Sequence, residues 1–292
     1  MNKILLTLAA LPNLIKRRVK FGVQCYISPI FLSWKVKLRF RSRAIAKPHE
    51  LIAPLIISLT SYPPRFSELP LTIKCLLSQS MAADRVILWI AHEDKNELTP
   101  AILNLQKEGL EIAYCENLRS YKKIIPTLKH YPECFIVTAD DDLYYSPTWL
   151  AEMVQSYEGN PKEVICHRAH QICLGKNGLP LPYMKWEAET ECLEASPLIF
   201  QTGGGGALYP PGIFHPDVQR TDLFAKLCPD GDDVWLYWMM RLNGGVARKI
   251  GIRHDLYMWP STRKSALFHK NIAGGGNDYC IQMMIEKYDF VS

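Results

Sequence analysis

The stretch that decides the fold is Phe135-Ile136-Val137-Thr138-Ala139-Asp140-Asp141-Asp142, in which an apolar run leads directly into three aspartates. A short apolar run bounded by polar residues is typical of a buried strand in a parallel sheet. Ligands of open α/β sheets bind outside the carboxyl ends of the strands, which is where the aspartates fall. The stretch therefore predicts a strand with a binding site at its end.

Apolar runs of the same kind alternate with amphipathic stretches from residue 54 onward. They predict strands over 55–59, 85–90, 110–114 and 135–139, separated by helices over 69–79, 100–109 and 121–131. Such alternation is typical of a mainly parallel sheet. We therefore predict an α/β fold over 50–292, with a Rossmann-like nucleotide-binding half (50–145) and a second half (146–292) whose Trp-, Pro- and Gly-rich loops build a further pocket.

The charge of the chain is unevenly distributed. The net charge is +5, but residues 1–49 hold eleven Lys and Arg and no acidic residue, so all 29 Asp and Glu lie in the body. This local concentration argues against a uniform nucleic-acid-binding surface, and the basic segment matches no nucleic-acid module. We expect no nucleic-acid partner.

The basic arm of residues 1–49 has two apolar stretches, 4–15 and 21–34, each shorter than the roughly 20 residues that span a bilayer. Neither is expected to cross a membrane. Its mixture of Lys, Arg and aromatic residues suits peripheral association with a membrane surface. A solvated basic extension, or a helix packed on the domain, explains the same composition equally well.

The cysteines indicate a reducing compartment. There are nine, an odd number, with no Cys-x-x-Cys pair and no zinc-ligand spacing. We expect a cytoplasmic protein, peripheral on the inner face of the cytoplasmic membrane if the arm binds lipid.

Three consecutive carboxylates repel one another and need a cation or good hydrogen bonds. Because side chains alternate along an extended segment, Asp140 and Asp142 are expected on one side, with Asp141 turned away. Two such carboxylates suit Mg²⁺ or Mn²⁺ and leave room for phosphate oxygens. The alternative is an acidic loop that caps a helix starting near Ser146-Pro147, which explains one aspartate rather than three.

Two segments carry a family resemblance: Thr60-Ser61-Tyr62-Pro63-Pro64-Arg65 after the first strand, and Thr138-Ala139-Asp140-Asp141-Asp142-Leu143-Tyr144-Tyr145 at the fourth. With them, residues 54–280 resemble bacterial glycosyltransferases of the GT-A fold, near the family-2 type. The resemblance implies a nucleoside-diphosphate sugar as co-substrate and a divalent metal, Mn²⁺ or Mg²⁺. It implies that Asp140 contacts the ribose or the metal and that Asp142 binds the metal. The residues implied to line the nucleotide pocket are Thr60, Ser61, Tyr62 and Arg65.

Further candidates lie outside these two segments. Lys123, in the pair Lys122-Lys123, is expected near the diphosphate, the alternative being a solvated helix face. In the run Thr202–Gly206, Gly204 and Gly205 allow close approach of backbone to a ligand, the alternative being a flexible loop. The family resemblance implies a C-terminal histidine that binds the metal; His269 is the candidate and His254 its competitor.

Asp232 and Asp233 precede a predicted helix with Trp235 and Trp238 on one face. Carboxylates at a helix start are often caps, and one of the two is expected in that role. By the resemblance, Asp232 takes the first position of an acidic pair and Asp233 acts as the base that accepts the proton of an acceptor hydroxyl. We expect the helix dipole to lower the pKa of Asp233.

The resemblance, together with the basic arm, implies a metal-dependent, inverting glycosyltransferase that acts on a hydroxyl of a glycan or lipid-linked glycan, in cell-surface polysaccharide or lipooligosaccharide biosynthesis. A nucleotidyltransferase is the first alternative, but it predicts a glycine-rich phosphate loop after strand one, and Thr60–Phe66 has no glycine. A non-catalytic nucleotide- or glycan-binding protein is the second.

Overall fold

The computed structural model of the protein describes residues 28–251, 257–260 and 275–291. Its centre is a seven-stranded sheet with the strand order β3-β2-β1-β4-β8-β5-β9, beside which a two-stranded sheet pairs β6 with β7. The strands are β1 (Leu55–Thr60), β2 (Arg85–Ala91), β3 (Leu110–Cys115), β4 (Phe135–Ala139), β5 (Glu163–Cys166), β6 (Ala169–Gln171), β7 (Ile199–Gln201), β8 (Ala207–Tyr209) and β9 (Val246–Lys249).

The sheet is mainly parallel, as predicted. Strands β1 to β4 pair in parallel, whereas β8 runs antiparallel to both β4 and β5, and β9 is parallel to β5. In this register Leu59, near the end of β1, lies beside Ala139, the last residue of β4. Ala207, the first residue of β8, lies opposite Thr138 of β4. The loop after β1, the aspartates after β4 and the glycine run before β8 therefore meet at the same end of these central strands, the carboxyl end of β1 and β4.

The helices are α1 (Ser28–Arg41), α2 (Leu69–Leu76), α3 (Pro100–Leu103), α4 (Ile125–His130), α5 (Trp149–Ser156), α6 (Thr221–Leu227), α7 (Asp232–Leu242) and α8 (Gly276–Tyr288). Two predicted helices are interrupted. The segment 100–109 continues from α3 into a 3₁₀ turn, Asn104–Glu108, and in 121–131 a 3₁₀ turn, Arg119–Lys123, precedes α4. Pro126 explains the second break, because proline is tolerated in the first turn of a helix but not in its interior.

The sheet buries both of its faces. Along β1, Leu55, Ile57 and Leu59 pack into one apolar cluster and Ile56 into another, as the alternation of side chains requires. Helix α7 packs into a third cluster, where Trp235 and Trp238, predicted to share one face, are both buried; Leu236 and Tyr237 between them are buried too. Within the described ranges, no helix is both long and apolar enough to cross a bilayer.

Candidate active site

The centre of the candidate site is the ammonium group of Lys123, which bridges two carboxylates. Its Nζ lies 2.8 Å from Oδ1 of Asp140 and 2.9 Å from Oδ2 of Asp232. Although burial opposes its charge, the carboxylates of Asp140, Asp232 and Asp233 hold the pKa of Lys123 well above its usual value. Lys123 is therefore a fixed cation, and the solvated helix face considered for it is wrong, since the side chain is buried.

Asp233 lies beside this bridge. The backbone N–H of Gly203 donates to Oδ1 of Asp233 over 2.9 Å. Burial, and then the neighbouring carboxylate of Asp232, raise the pKa of Asp233 to about 7, against the opposing effects of Lys123 and the Gly203 N–H. The expectation that the helix dipole lowers this pKa is wrong, because desolvation and like charges nearby exceed the effect of the helix terminus.

Neither acid caps α7 through its side chain. Gly231 occupies the N-cap position without a side-chain hydrogen bond, and Asp232 and Asp233 lie in the first turn. The expectation that one of the acids serves as a cap is therefore wrong. Both carboxylates instead bind groups from outside the helix, namely Lys123 and the Gly203 N–H.

Asp141 and Asp142 share a second cation, Arg65. Its Nη1 lies 2.5 Å from Oδ1 of Asp141 and 3.2 Å from Oδ2 of Asp142, and Ser61 donates its hydroxyl to Asp141 over 2.5 Å. The expectation that Asp141 is turned away from Asp142 is wrong. Because β4 ends at Ala139 and a turn follows, the alternation of an extended strand does not continue through the triplet.

The Arg65 guanidinium does not fully compensate the buried acids. Burial, and then the charge of Asp141, raise the pKa of Asp142 to about 7 even though Arg65 acts in the opposite direction. Asp140 behaves differently: burial opposes its ionisation, but Lys123 lowers its pKa. The site thus places five carboxylates around two cationic side chains, Lys123 and Arg65. The carboxylates are those of Asp140, Asp141, Asp142, Asp232 and Asp233.

The predicted nucleotide-pocket residues divide into two groups. Ser61 and Arg65 bind the carboxylates, and Tyr62, which is 37% exposed, lies with its ring 5.6 Å from the Arg65 guanidinium carbon. Thr60 instead donates its hydroxyl to the carbonyl of Trp89 over 2.8 Å, which ties the end of β1 to β2. Tyr62 therefore offers an exposed ring beside a cation, whereas the Thr60 hydroxyl has a structural partner.

The glycine run is packed against the acids rather than free of them. A Cβ atom on Gly203 would lie 2.9 Å from Oδ1 of Asp233 and 3.0 Å from Nζ of Lys123. One on Gly204 would lie 3.2 Å from Oδ2 of Asp140. Only glycine lets the backbone come this close to the charged groups. The flexible-loop interpretation of this run is not supported.

Two aromatic residues that sequence reasoning did not single out hold the loops in place. The Tyr145 hydroxyl accepts the backbone N–H of Asp140 over 2.8 Å, and the Trp149 indole N–H donates to the carbonyl of Gly205 over 2.8 Å. Gly205 is thus an anchoring point. The signal for Tyr145 was its place three residues after Asp142, but its partner is a backbone group, which no residue pattern reveals.

The described residues do not complete a metal site on their own. Within 28–251, 257–260 and 275–291, no group of three or more His, Cys, Asp and Glu is arranged to hold a metal ion. His269 and its competitor His254 lie outside the described residues. The predicted ligands Asp140 and Asp142 are both at the site, with different cations as partners.

Comparisons with known proteins give distant similarities. No protein-family model matches the chain, and no curated protein matches it. Among solved structures, S. aureus TarS 1–349 is similar with 13% identity and a TM-score of 0.44, over 80% of this chain and 72% of that one. The inositol-1-phosphate CTP transferase from T. maritima is similar with 9% identity and a TM-score of 0.36, over 69% of this chain and 86% of that one. Similarities this low assign no activity to the chain.

Proposed function

We propose that the protein is a glycosyltransferase of the GT-A type, which moves a sugar from a nucleoside diphosphate to a hydroxyl group with inversion. The observation that carries the proposal is the Lys123 bridge between Asp140 and Asp232, with Asp233 held next to it by the Gly203 N–H. It brings a fixed cation and a titratable acid together at the edge of the sheet where ligands of α/β folds bind.

Asp233 has the properties of a general base. The pKa of Asp233 is about 7, and a general base accepts a proton most efficiently when its pKa is close to the working pH. In the proposed step the acceptor hydroxyl transfers its proton to Asp233 while its oxygen bonds to the anomeric carbon. The bond from that carbon to the diphosphate oxygen breaks, and the diphosphate leaves with the electron pair. One displacement of this kind inverts the anomeric configuration.

The nucleotide is proposed to bind at the loop after β1. Tyr62 presents a partly exposed ring, and the buried guanidinium of Arg65 and hydroxyl of Ser61 hold the neighbouring acids in place. Lys123 forms ion pairs with both Asp140 and Asp232 and so fixes the orientation of the two carboxylates. These residues fix the acids before a ligand arrives, which reduces the cost of organising the site.

The donor set is suited to a hard divalent cation. The excess of carboxylates over cations, together with the pKa of about 7 for Asp142, indicates that a further positive charge would stabilise the ionised site. Asp140 and Asp142 are the proposed ligands, and His269 stays a prediction. A bound Mn²⁺ or Mg²⁺ would supply charge neutralisation for the diphosphate leaving group.

The acceptor is proposed to be a glycan or lipid-linked glycan, because a basic arm suits a substrate displayed at a membrane. Assembly of a cell-surface polysaccharide or lipooligosaccharide is the corresponding process.

The test is a panel of UDP-, GDP-, CMP- and dTDP-sugars, with Mn²⁺ and with EDTA, scored by thermal stabilisation and by release of the nucleotide. We expect one nucleotide class to raise the melting temperature and to be hydrolysed slowly when Mn²⁺ is present. Release of pyrophosphate from a nucleoside triphosphate and a sugar phosphate would favour a nucleotidyltransferase instead. Stabilisation without turnover on any acceptor would favour a binding protein, and no response at all would refute the proposal.

A further inference from the structure

Helix α1 has apolar residues on two opposite faces. Leu32, Val36 and Phe40 are buried in the core, with exposed fractions of 9% or less. Phe31, Trp34 and Leu38 instead have exposed fractions of 59%, 60% and 51%.

The exposed residues form a continuous stripe. Their spacing of three and four residues puts them on one side of the helix, and the rings of Phe31 and Trp34 lie 6.3 Å apart. One apolar face explains how α1 attaches to the domain. No apolar surface among the described residues covers the second face, so its apolar side chains are left exposed.

Cations border this stripe on both sides. At about 100° per residue, Lys35 lies on one side of the stripe, and Lys37 and Arg41 lie on the other. All three are exposed, and residues 1–49 contain no acidic side chain to neutralise them. The outward face of α1 is thus an apolar strip between two cationic margins.

We propose that this outward face, formed by Phe31, Trp34 and Leu38 with the margins Lys35, Lys37 and Arg41, docks on an anionic lipid surface with α1 lying in the plane of the bilayer. Aromatic and leucine side chains enter the boundary between headgroups and acyl chains, while Lys and Arg reach back to the phosphates. The proposal does not depend on the transferase activity.

The same features argue against a protein as the occupant. Three side chains on a helix of 14 residues offer much less than the roughly 800 Å² per partner of a stable interface. A second copy in a two-fold arrangement would bring identical cationic margins together, with no acid from residues 1–49 between them. An anionic lipid surface offers acyl chains to the apolar strip and negative headgroups to its cationic margins.

Vesicle sedimentation with the full chain tests the proposal. We expect binding to vesicles of equimolar phosphatidylcholine and phosphatidylglycerol, much weaker binding to phosphatidylcholine alone, and a loss of binding as the salt concentration rises. Trp34→Glu and Leu38→Glu should each weaken binding by more than about tenfold. Lys37→Glu should weaken it by at least about fivefold, since each cation near such a surface contributes about that factor.

Leu193→Glu is the matched control. Leu193 is 49% exposed, comparable to Leu38, but it lies between Glu191 and Glu194 rather than among cations. This variant should bind vesicles like the parent protein. Because all the altered side chains are exposed, every variant should keep the melting temperature of the parent, which separates lost binding from lost folding.

A second measurement places the contact on the helix itself. Lipids brominated in their acyl chains should quench the fluorescence of the parent protein more than that of Trp34→Phe, a variant expected to bind equally well. No binding to anionic vesicles, or equal binding by Trp34→Glu and the parent, would overturn the proposal. Concentration-dependent dimerisation without lipid that Trp34→Glu abolishes would overturn it in favour of a second copy. None of these outcomes depends on a nucleotide sugar, so they are distinguishable from failure of the transferase proposal.

Discussion

Nζ of Lys123 lies 2.9 Å from Oδ2 of Asp232, so a residue that precedes β4 is joined to the first turn of α7. The same ammonium binds Asp140, which directly follows β4. One buried cation therefore connects the half of the chain that contains the first four strands with the half that carries the proposed base. Loss of this cation should affect both the stability of the fold and the arrangement of the site.

Lys123→Met should be strongly destabilising. It leaves Asp140 and Asp232 without their cation, and removing one partner of a buried ion pair costs about 3 kcal/mol or more of the free energy of unfolding. Lys122→Met is the matched control. Lys122 Nζ donates to the carbonyl of Ser61 over 3.4 Å and forms no ion pair with a described carboxylate, so its loss should cost about 1 kcal/mol or less. Urea unfolding measures both; equal losses would contradict a special role for Lys123.

Gly203→Ala tests the close approach of the glycine run to the acids. The added methyl group would lie 2.9 Å from Oδ1 of Asp233 and 3.0 Å from Nζ of Lys123, so one of these groups must move. We expect turnover to fall by at least about tenfold, since displacement of a catalytic group by a fraction of an ångström is costly. Gly251→Ala, whose methyl group would lie 3.4 Å from Leu193 and near no site residue among the described ranges, should retain activity. Unchanged turnover in Gly203→Ala would show that this approach is not functional.

Much of the sheet could be predicted because its signal is local. The run 135–139 coincides with β4, and the other three predicted strands differ from the observed ones by one residue at their ends. Position of the triplet at the sheet edge follows from the same signal. Insertion of β8 between β4 and β5 could not be predicted, because Ala207–Tyr209 is a three-residue strand whose partners are distant in sequence.

The electrostatics of the site could not be predicted from the sequence, because most of the interacting charges are also distant in sequence. The pKa of Asp233 depends on burial, on the adjacent Asp232, and on Lys123, Asp140 and the Gly203 N–H, which only the fold brings next to it. Likewise, the pairing of Asp141 with Asp142 at Arg65 depends on where β4 ends and the turn begins. Residue types identified these groups as candidates, but their partners required the three-dimensional arrangement.

Asp142→Asn tests the proposed cation site. If Asp142 binds a divalent ion, the variant should lose the Mn²⁺-dependent part of the thermal stabilisation by a nucleoside diphosphate. Because the pKa of Asp142 is about 7, the parent should bind Mn²⁺ more tightly as the pH rises through 7 and should release a proton on binding. Glu111→Gln, which alters a surface carboxylate paired with Arg85, should behave like the parent. Full Mn²⁺-dependent stabilisation in Asp142→Asn would remove this residue from the metal site.

Asp233→Asn tests the proposed base. Asparagine can still accept the Gly203 N–H but cannot take a proton, so turnover should fall by about 10²–10⁴-fold while the nucleotide still binds. In the parent, kcat/KM should fall by about tenfold per pH unit below 7, because the base becomes protonated. Asp230→Asn, which alters the acid that stands just before α7 and pairs with Arg119, should keep both rate and profile. Full activity in Asp233→Asn would move the role of base to another group.

The same substitution has a consequence for stability whose sign follows from linkage. The pKa of Asp233 is about 7 in the folded protein, against about 3.9 for an unfolded aspartate, so between these values the folded state binds the additional proton. The contribution of this group to the free energy of unfolding therefore decreases as the pH rises from about 4 to 7. Asp233→Asn does not titrate and escapes the decrease. Its melting temperature relative to the parent should rise between pH 5 and pH 8, and a constant difference across that range would show that Asp233 is already ionised at pH 5.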